Sequence, residues 1–295
     1  MRKFVLGLAL ALGACATAVE APAPLALMTW GELTGRALPE PSATRSYGSD
    51  PAQVVDLWLP DGPGPHPVVV MVHGGCWQKA IADRTLMNYA AEDLRARGLA
   101  VWNVEYRGVD EAGGGYPGTF LDVAAAADAL AEMGPGLGLD TSRVAGIGHS
   151  AGGHLVAWLA TRERIADASP LAGDVPLDFA AVVVSGGLAD LEASEPVTLP
   201  SCLADVRDEL VGTGRADAYS DTSPVRLLPA GAPLVSVNGE RDRIAPPELG
   251  RGFTRLAGSG ARYVEVPDAG HVELVAPGTQ AWEVQARLLL DALGL

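Results

Sequence analysis

Apolar runs of strand type alternate with helix-like stretches from residue 54 to residue 293, and this alternation constrains the fold more than any other feature of the chain. Strand candidates lie at residues 54–59, 68–72, 99–106, 144–147, 180–184, 234–237 and 263–266; helix candidates lie at residues 83–97, 120–133, 151–162, 247–256 and 279–293. The run Val68-Val69-Val70-Met71-Val72 is apolar at every position, which marks a strand buried on both faces. Such strands alternating with helices predict an α/β fold, a mostly parallel central sheet flanked by helices, with ligand sites at the carboxyl ends of the strands. At 295 residues and 48% hydrophobic content the chain can bury one large domain, placed at residues 44–295. Residues 186–223 interrupt the alternation, with an amphipathic patch at 203–211, and predict a short lid inserted after the strand near residue 184.

Ahead of the domain the chain changes character. Arg2 and Lys3 precede an apolar run at residues 4–12 and then small residues, the layout of a secretory signal that is too short to span a bilayer. Leu12-Gly13-Ala14-Cys15 resembles a bacterial lipobox, in which Cys15 is lipidated and becomes the mature N-terminus; ordinary cleavage at the same place is the alternative. Residues 1–15 are therefore expected to be a signal peptide of lipoprotein type. Residues 16–43, rich in Ala and Pro, are expected to be a tether, with residues 29–33 as a short docking turn. The expected location is outside the cytoplasm, periplasmic or held to a membrane by the N-terminal lipid alone. A formal charge of −15 argues against nucleic acid as a partner and suits a small neutral or cationic substrate, of which a small neutral one is expected.

Gly148-His149-Ser150-Ala151-Gly152 sits where a predicted strand meets a predicted helix, the context of a nucleophile elbow. Ser150 needs a base. His66 lies in a turn, His73 opens a glycine loop, and His149 and His154 share the serine's own element, which leaves His271 after the last strand. The order nucleophile, acid, histidine then points to Asp242, just past Asn238-Gly239 at a strand end. Asp190, after the preceding strand, is the alternative acid, and Asp268 is too near His271 to be preferred. Acyl transfer also needs backbone N–H donors for the oxyanion. Ala151 supplies one and the loop His73-Gly74-Gly75-Cys76-Trp77 supplies Gly75 and Cys76, with His73, Gly74 and His149 supporting the loop and Trp77 walling the pocket.

With those residues in place, the segments HGGCW, GHSAGGH, SGGLADL, SPVRLLP, NGERDRIAP and AGHVEL resemble, in order, bacterial serine esterases of the α/β-hydrolase fold. The likeness is to the feruloyl-esterase-like and kynurenine-formamidase-like group, related to the hormone-sensitive-lipase group, and runs from about Tyr47 to the C-terminus. It implies hydrolysis of small carboxylic esters through an acyl-enzyme on Ser150, Asp242 and His271, with no metal or organic cofactor. An aryl formamidase or other amidase is the alternative on the same triad; a serine peptidase or a non-catalytic binding protein on this fold fits less well. Hormone-sensitive-lipase relatives carry a third glycine where this chain has Cys76, and formamidase-like members commonly carry an aromatic there.

Export would leave Cys76 and Cys202 as the two thiols of the domain. A disulfide between them would tie the base of the lid to the oxyanion loop; two separate buried thiols is the other reading.

Overall fold

The computed structural model describes residues 26–197 and 202–295; the expected signal peptide, Cys15 and the first part of the expected tether lie outside the described residues. In chain order the elements are α1 (Trp30–Thr34), β1 (Ala43–Ser46), β2 (Val54–Trp58), β3 (His66–Val72), α2 (Asn88–Ala96), β4 (Ala100–Val104), α3 (Gly118–Met133) and β5 (Leu139–His149). There follow α4 (Ala151–Leu159), β6 (Val182–Ser185), α5 (Leu191–Ser194), α6 (Leu203–Val211), β7 (Leu234–Gly239), α7 (Pro247–Ala257), β8 (Ala261–Val266) and α8 (Gln280–Ala292).

The strands form one sheet in the order β1-β2-β4-β3-β5-β6-β7-β8. β1 and β2 pair antiparallel, as do β2 and β4, and every pairing from β4 onward is parallel. Successive side chains of a strand leave on opposite faces, and each face has its own core. Val68, Val70 and Val72 of β3 join Phe120 of α3, Leu155 of α4 and Phe253 of α7 on one side. Val69 and Met71 join Leu33 of α1, Leu94 of α2 and Trp282 of α8 on the other. This is why the run at residues 68–72 shows no polar alternation. β1 was not expected, because Ala43-Thr44-Arg45-Ser46 is polar and largely exposed; an edge strand needs no apolar run. β5 likewise starts earlier than the apolar run, through the polar residues 140–143.

Part of the expected tether is built into the domain, which corrects that reading. Thr29 caps α1 in a capping box with Glu32, a device worth about 1 kcal/mol, and Leu33 is fully buried. The Met28 N–H donates to Glu273 Oε1 at 2.5 Å and Arg36 donates to the Pro277 carbonyl at 3.0 Å. The short docking turn expected at residues 29–33 is this helix, Trp30–Thr34 with its cap.

The inserted segment carries α5 and α6 and is fastened to the body. Tyr116 N–H donates to the Glu209 carbonyl at 2.8 Å, and the Arg215 guanidinium lies 4.0 Å from the centre of the Tyr116 ring. Buried Asp221 accepts from Tyr116 (3.1 Å), Ser169 (2.6 Å) and Arg215 (2.5 Å). Among the described residues no helix is long and apolar enough to cross a membrane.

Candidate active site

β5 ends at His149 and α4 begins at Ala151, so Ser150 alone makes the turn. Its φ of 56° and ψ of −119° lie outside the ordinary basins of a residue with a Cβ. Such a conformation costs roughly 1–3 kcal/mol and persists only where its surroundings fix it. Here the Ser150 N–H donates to the Ser185 carbonyl at 2.8 Å, and its carbonyl accepts from His154 N–H at 3.2 Å. A Cβ on Gly152 would stand 2.1 Å from the Val72 carbonyl oxygen, so glycine is what lets α4 start against the end of β3. The Ala151 N–H, first in the helix, is among those that α4 leaves unpaired, at the positive end of its dipole.

The loop after β3 passes directly over this elbow. A Cβ on Gly74 would meet the His149 carbonyl oxygen at 2.9 Å and Ser150 Cβ at 3.0 Å. Gly75, Cys76 and Trp77 then all hold positive φ, 108°, 53° and 56°, and the last two pay for it as residues with side chains. Three anchors hold them there. Cys76 is bonded to Cys202, with α-carbons 5.1 Å apart. The Trp77 indole N–H donates to His154 Nδ1 at 3.1 Å, and its carbonyl accepts from Val109 N–H at 2.7 Å. His154 Nε2 donates in turn to the Thr222 carbonyl at 2.8 Å, and burial pushes this imidazole down to about 4, so it stays neutral. Trp77 is fully buried and does not wall the pocket as expected; the positive φ turns its ring inward to the core.

His73 sits beneath the loop, stacked on Tyr106 with ring centres 4.3 Å apart. Its Nδ1 is 2.7 Å from the Gly74 carbonyl oxygen and its Nε2 2.9 Å from Glu105 Oε1. Glu105 was missed in the sequence. Its other oxygen accepts from Lys79 Nζ at 2.9 Å and from the Arg84 backbone N–H at 3.2 Å. Burial alone would raise this carboxyl, but the bonds from His73 and Lys79 prevail and hold it at about 2 against an ordinary 4.5. A lowered carboxyl adds stability that is complete above the ordinary value and is lost as pH falls through the lowered one. Glu105→Gln is therefore expected to cost on the order of 3 kcal/mol at neutral pH and to flatten the loss of stability on acidification. Denaturant midpoints measured from pH 7 to pH 3 check this; an acid limb identical to the unmodified protein's would refute it.

His271 Nδ1 lies 2.6 Å from Asp242 Oδ2. Asp242 is held from behind, because its Oδ1 accepts the N–H groups of Ile244 and Ala245, each at 2.9 Å. With Nδ1–H given to the carboxylate, Nε2 is left as the basic nitrogen of His271. His149 adds support from the elbow: its Nε2 donates to the His271 carbonyl at 3.1 Å, and the two rings are 4.3 Å apart. Burial, then the neighbouring His271, push His149 well below the ordinary imidazole range, which favours its neutral form. Asp190, the alternative acid, instead caps α5 by accepting the Ala193 N–H at 3.0 Å. Asp268 faces Arg241 at 3.9 Å in an exposed pairing.

Ser150, His271, His149, Gly75 and Cys76 open onto one cavity of about 220 Å³. Its remaining walls include Trp30, Ile81, Leu86 and Ile244. None of the described residues of the inserted segment lines it; the segment reaches the cavity indirectly, through the bridge to Cys76 and through the Thr222 carbonyl that holds His154 under Trp77. That bridge closes a loop of 126 residues, for which the chain-entropy model gives about 5 kcal/mol as an upper figure. Reduction is expected to lower the melting temperature and to cut kcat more than it raises KM, since the freed Cys76 can leave its unfavourable φ. Calorimetry and ester kinetics with and without dithiothreitol check this; unchanged values in both would separate the bridge from the loop.

A strand-to-helix turn carrying Ser150 after β5 and a carboxylate–histidine pair after β7 and β8 define an α/β-hydrolase fold. Residues 55–255 match the BD-FAE family model, and the chain belongs to that family. Esterase LipC of Mycobacterium tuberculosis is 31% identical over 241 residues, which are 76% of this chain but 58% of that protein. A bifunctional GH43-CE protein of Bacteroides eggerthii superposes with a TM-score of 0.70 at 21% identity, over 84% of this chain and 35% of its own. Esterase B from Lactobacillus rhamnosis gives a TM-score of 0.72 at 21% identity over 87% of each chain. The chain thus spans less than two thirds of the length of the first two.

Proposed function

We propose that the protein is an exported serine esterase that cleaves small neutral carboxylic esters. The observation that carries this reading is the 2.6 Å bond between His271 and Asp242, opening on the same cavity as a serine held in a strained turn. Ser150 Oγ attacks the acyl carbon while His271 Nε2 takes its proton and passes it to the departing alcohol. Water activated by the same nitrogen then releases the acid. The N–H groups of Gly75, Cys76 and Ala151 stabilise the oxyanion in both steps.

The esterase names of LipC and esterase B support the reaction class. Neutral substrates are supported by the walls, which among the described residues include no Lys, Arg, Asp or Glu; a charged limb entering there would lose its water without gaining a partner. The disulfide supports an oxidising compartment, in line with the signal-like N-terminus.

The test is a fluorophosphonate probe with peptide mapping, run beside matched p-nitrophenyl esters and anilides. Labelling of Ser150 with turnover of the esters is the expected result. Labelling elsewhere, or turnover of the anilides alone, would overturn the assignment.

A further inference from the structure

On the esterase reading above, one residue of the cavity wall stands where it would limit the substrate. Trp30 belongs to α1, outside the part of the chain that matches the family model, yet it lines the cavity beside Ser150 and His271. Its ring stands edge-on to both histidines of the site, with centres 6.0 Å from His149 at 74° and 6.3 Å from His271 at 83°. The cavity is open on another side. There a groove of about 400 Å³, reaching Leu38 and Tyr89, shares Thr34, Ile81 and Leu86 with it and does not include Trp30.

A wall limits length only if it is held still, and α1 is fastened to the loop that carries His271. Glu273 Oε1 accepts the Met28 N–H at 2.5 Å, two residues before Trp30, and its Oε2 accepts the Gly270 N–H at 3.0 Å, one residue before His271. One buried carboxylate therefore clasps both segments. The capping box fixes the helix at this same end, and the buried Leu33 fixes it toward the other. Tryptophan suits the task, since it presents a broad rigid face for two rotatable bonds.

We propose that Trp30 is the specificity-determining wall of the site. It sets the length limit of the substrate limb that enters the cavity, and the Glu273 clasp keeps that limit in register with His271. Each apolar methylene newly accommodated is worth roughly fourfold in transfer equilibrium, so room for two more should change discrimination by about tenfold or more.

The experiment measures kcat/KM for unmodified protein, Trp30→Ala and Trp30→Phe over two series, p-nitrophenyl acyl esters from acetate to octanoate and alkyl acetates from methyl to hexyl. Fluorophosphonate labelling of Ser150 is followed in each. Trp30→Ala is expected to raise the long-to-short ratio at least tenfold in one series, with Trp30→Phe in between. Glu273→Gln, which keeps a side chain of the same shape but loses the charged clasp, should broaden the same series and leave the other unchanged. Ratios within twofold in both series, with labelling retained, would overturn the proposal. Should Trp30→Ala fail to fold, Trp30→Phe and Glu273→Gln decide it by the same ratios. Absence of labelling and of ester turnover in the unmodified protein would instead overturn the esterase reading beneath it.

Discussion

Ser150→Ala is expected to abolish fluorophosphonate labelling and to lower kcat on p-nitrophenyl esters by about a millionfold. The size follows from the role: with the nucleophile gone, no acyl-enzyme forms, and the oxyanion donors and the cavity can assist only direct attack by water. Folding should be intact. Alanine meets the same φ of 56° that serine does, and the backbone bonds to Ser185 and from His154 do not involve the lost hydroxyl. KM should change little, since the walls of the cavity remain. Circular dichroism and a thermal melt run beside the kinetics separate loss of chemistry from loss of structure. Labelling that survives the substitution would end the assignment of Ser150.

Asp242→Asn is expected to lower kcat by about ten-thousandfold with only a small change in KM. The reason lies in the two N–H groups that face Oδ1, those of Ile244 and Ala245. An amide in that position must offer its oxygen to them and turn its NH2 toward His271. His271 Nδ1 would then have to accept, its proton would move to Nε2, and the nitrogen meant to take the serine's proton would be blocked. Asp190→Asn should change kcat less than threefold, because asparagine caps a helix about as well as aspartate. Rates for the two variants on one ester, measured with the melting temperature of each, check the pair. The opposite ranking would move the acid to the end of β6.

The residues at the ends of β5, β7 and β8 were legible because their order along the chain matches the order of the strands in the sheet. Glu105 was not. Its partnership with His73 depends on β4 lying beside β3, a neighbour relation that hydrophobic runs do not specify. Trp77 was ambiguous for a different reason: an aromatic residue after glycines can face a pocket or a core, and a positive φ with a donor bond to His154 decided for the core. Trp30 did leave a signal, since Thr29 and Glu32 are spaced as a capping box. The sequence predicts a short docking turn there, but does not carry that the turn is fastened to the histidine loop and lines the cavity. The lid was legible as an interruption but not in its placement, because helical patterning tells which face of α6 is apolar and not which surface it covers.

The clasp at Glu273 divides the protein by what each part can tolerate. The strand ends fix the reacting atoms through many mutually dependent contacts, and a change in one disturbs the next. The wall opposite them belongs to a five-residue helix joined to the histidine loop by the Glu273 carboxylate and, just beyond, by the Arg36 bond to the Pro277 carbonyl. On the proposal made above for Trp30, a change confined to this short N-terminal segment would alter which substrates fit while leaving the strand-end residues in place.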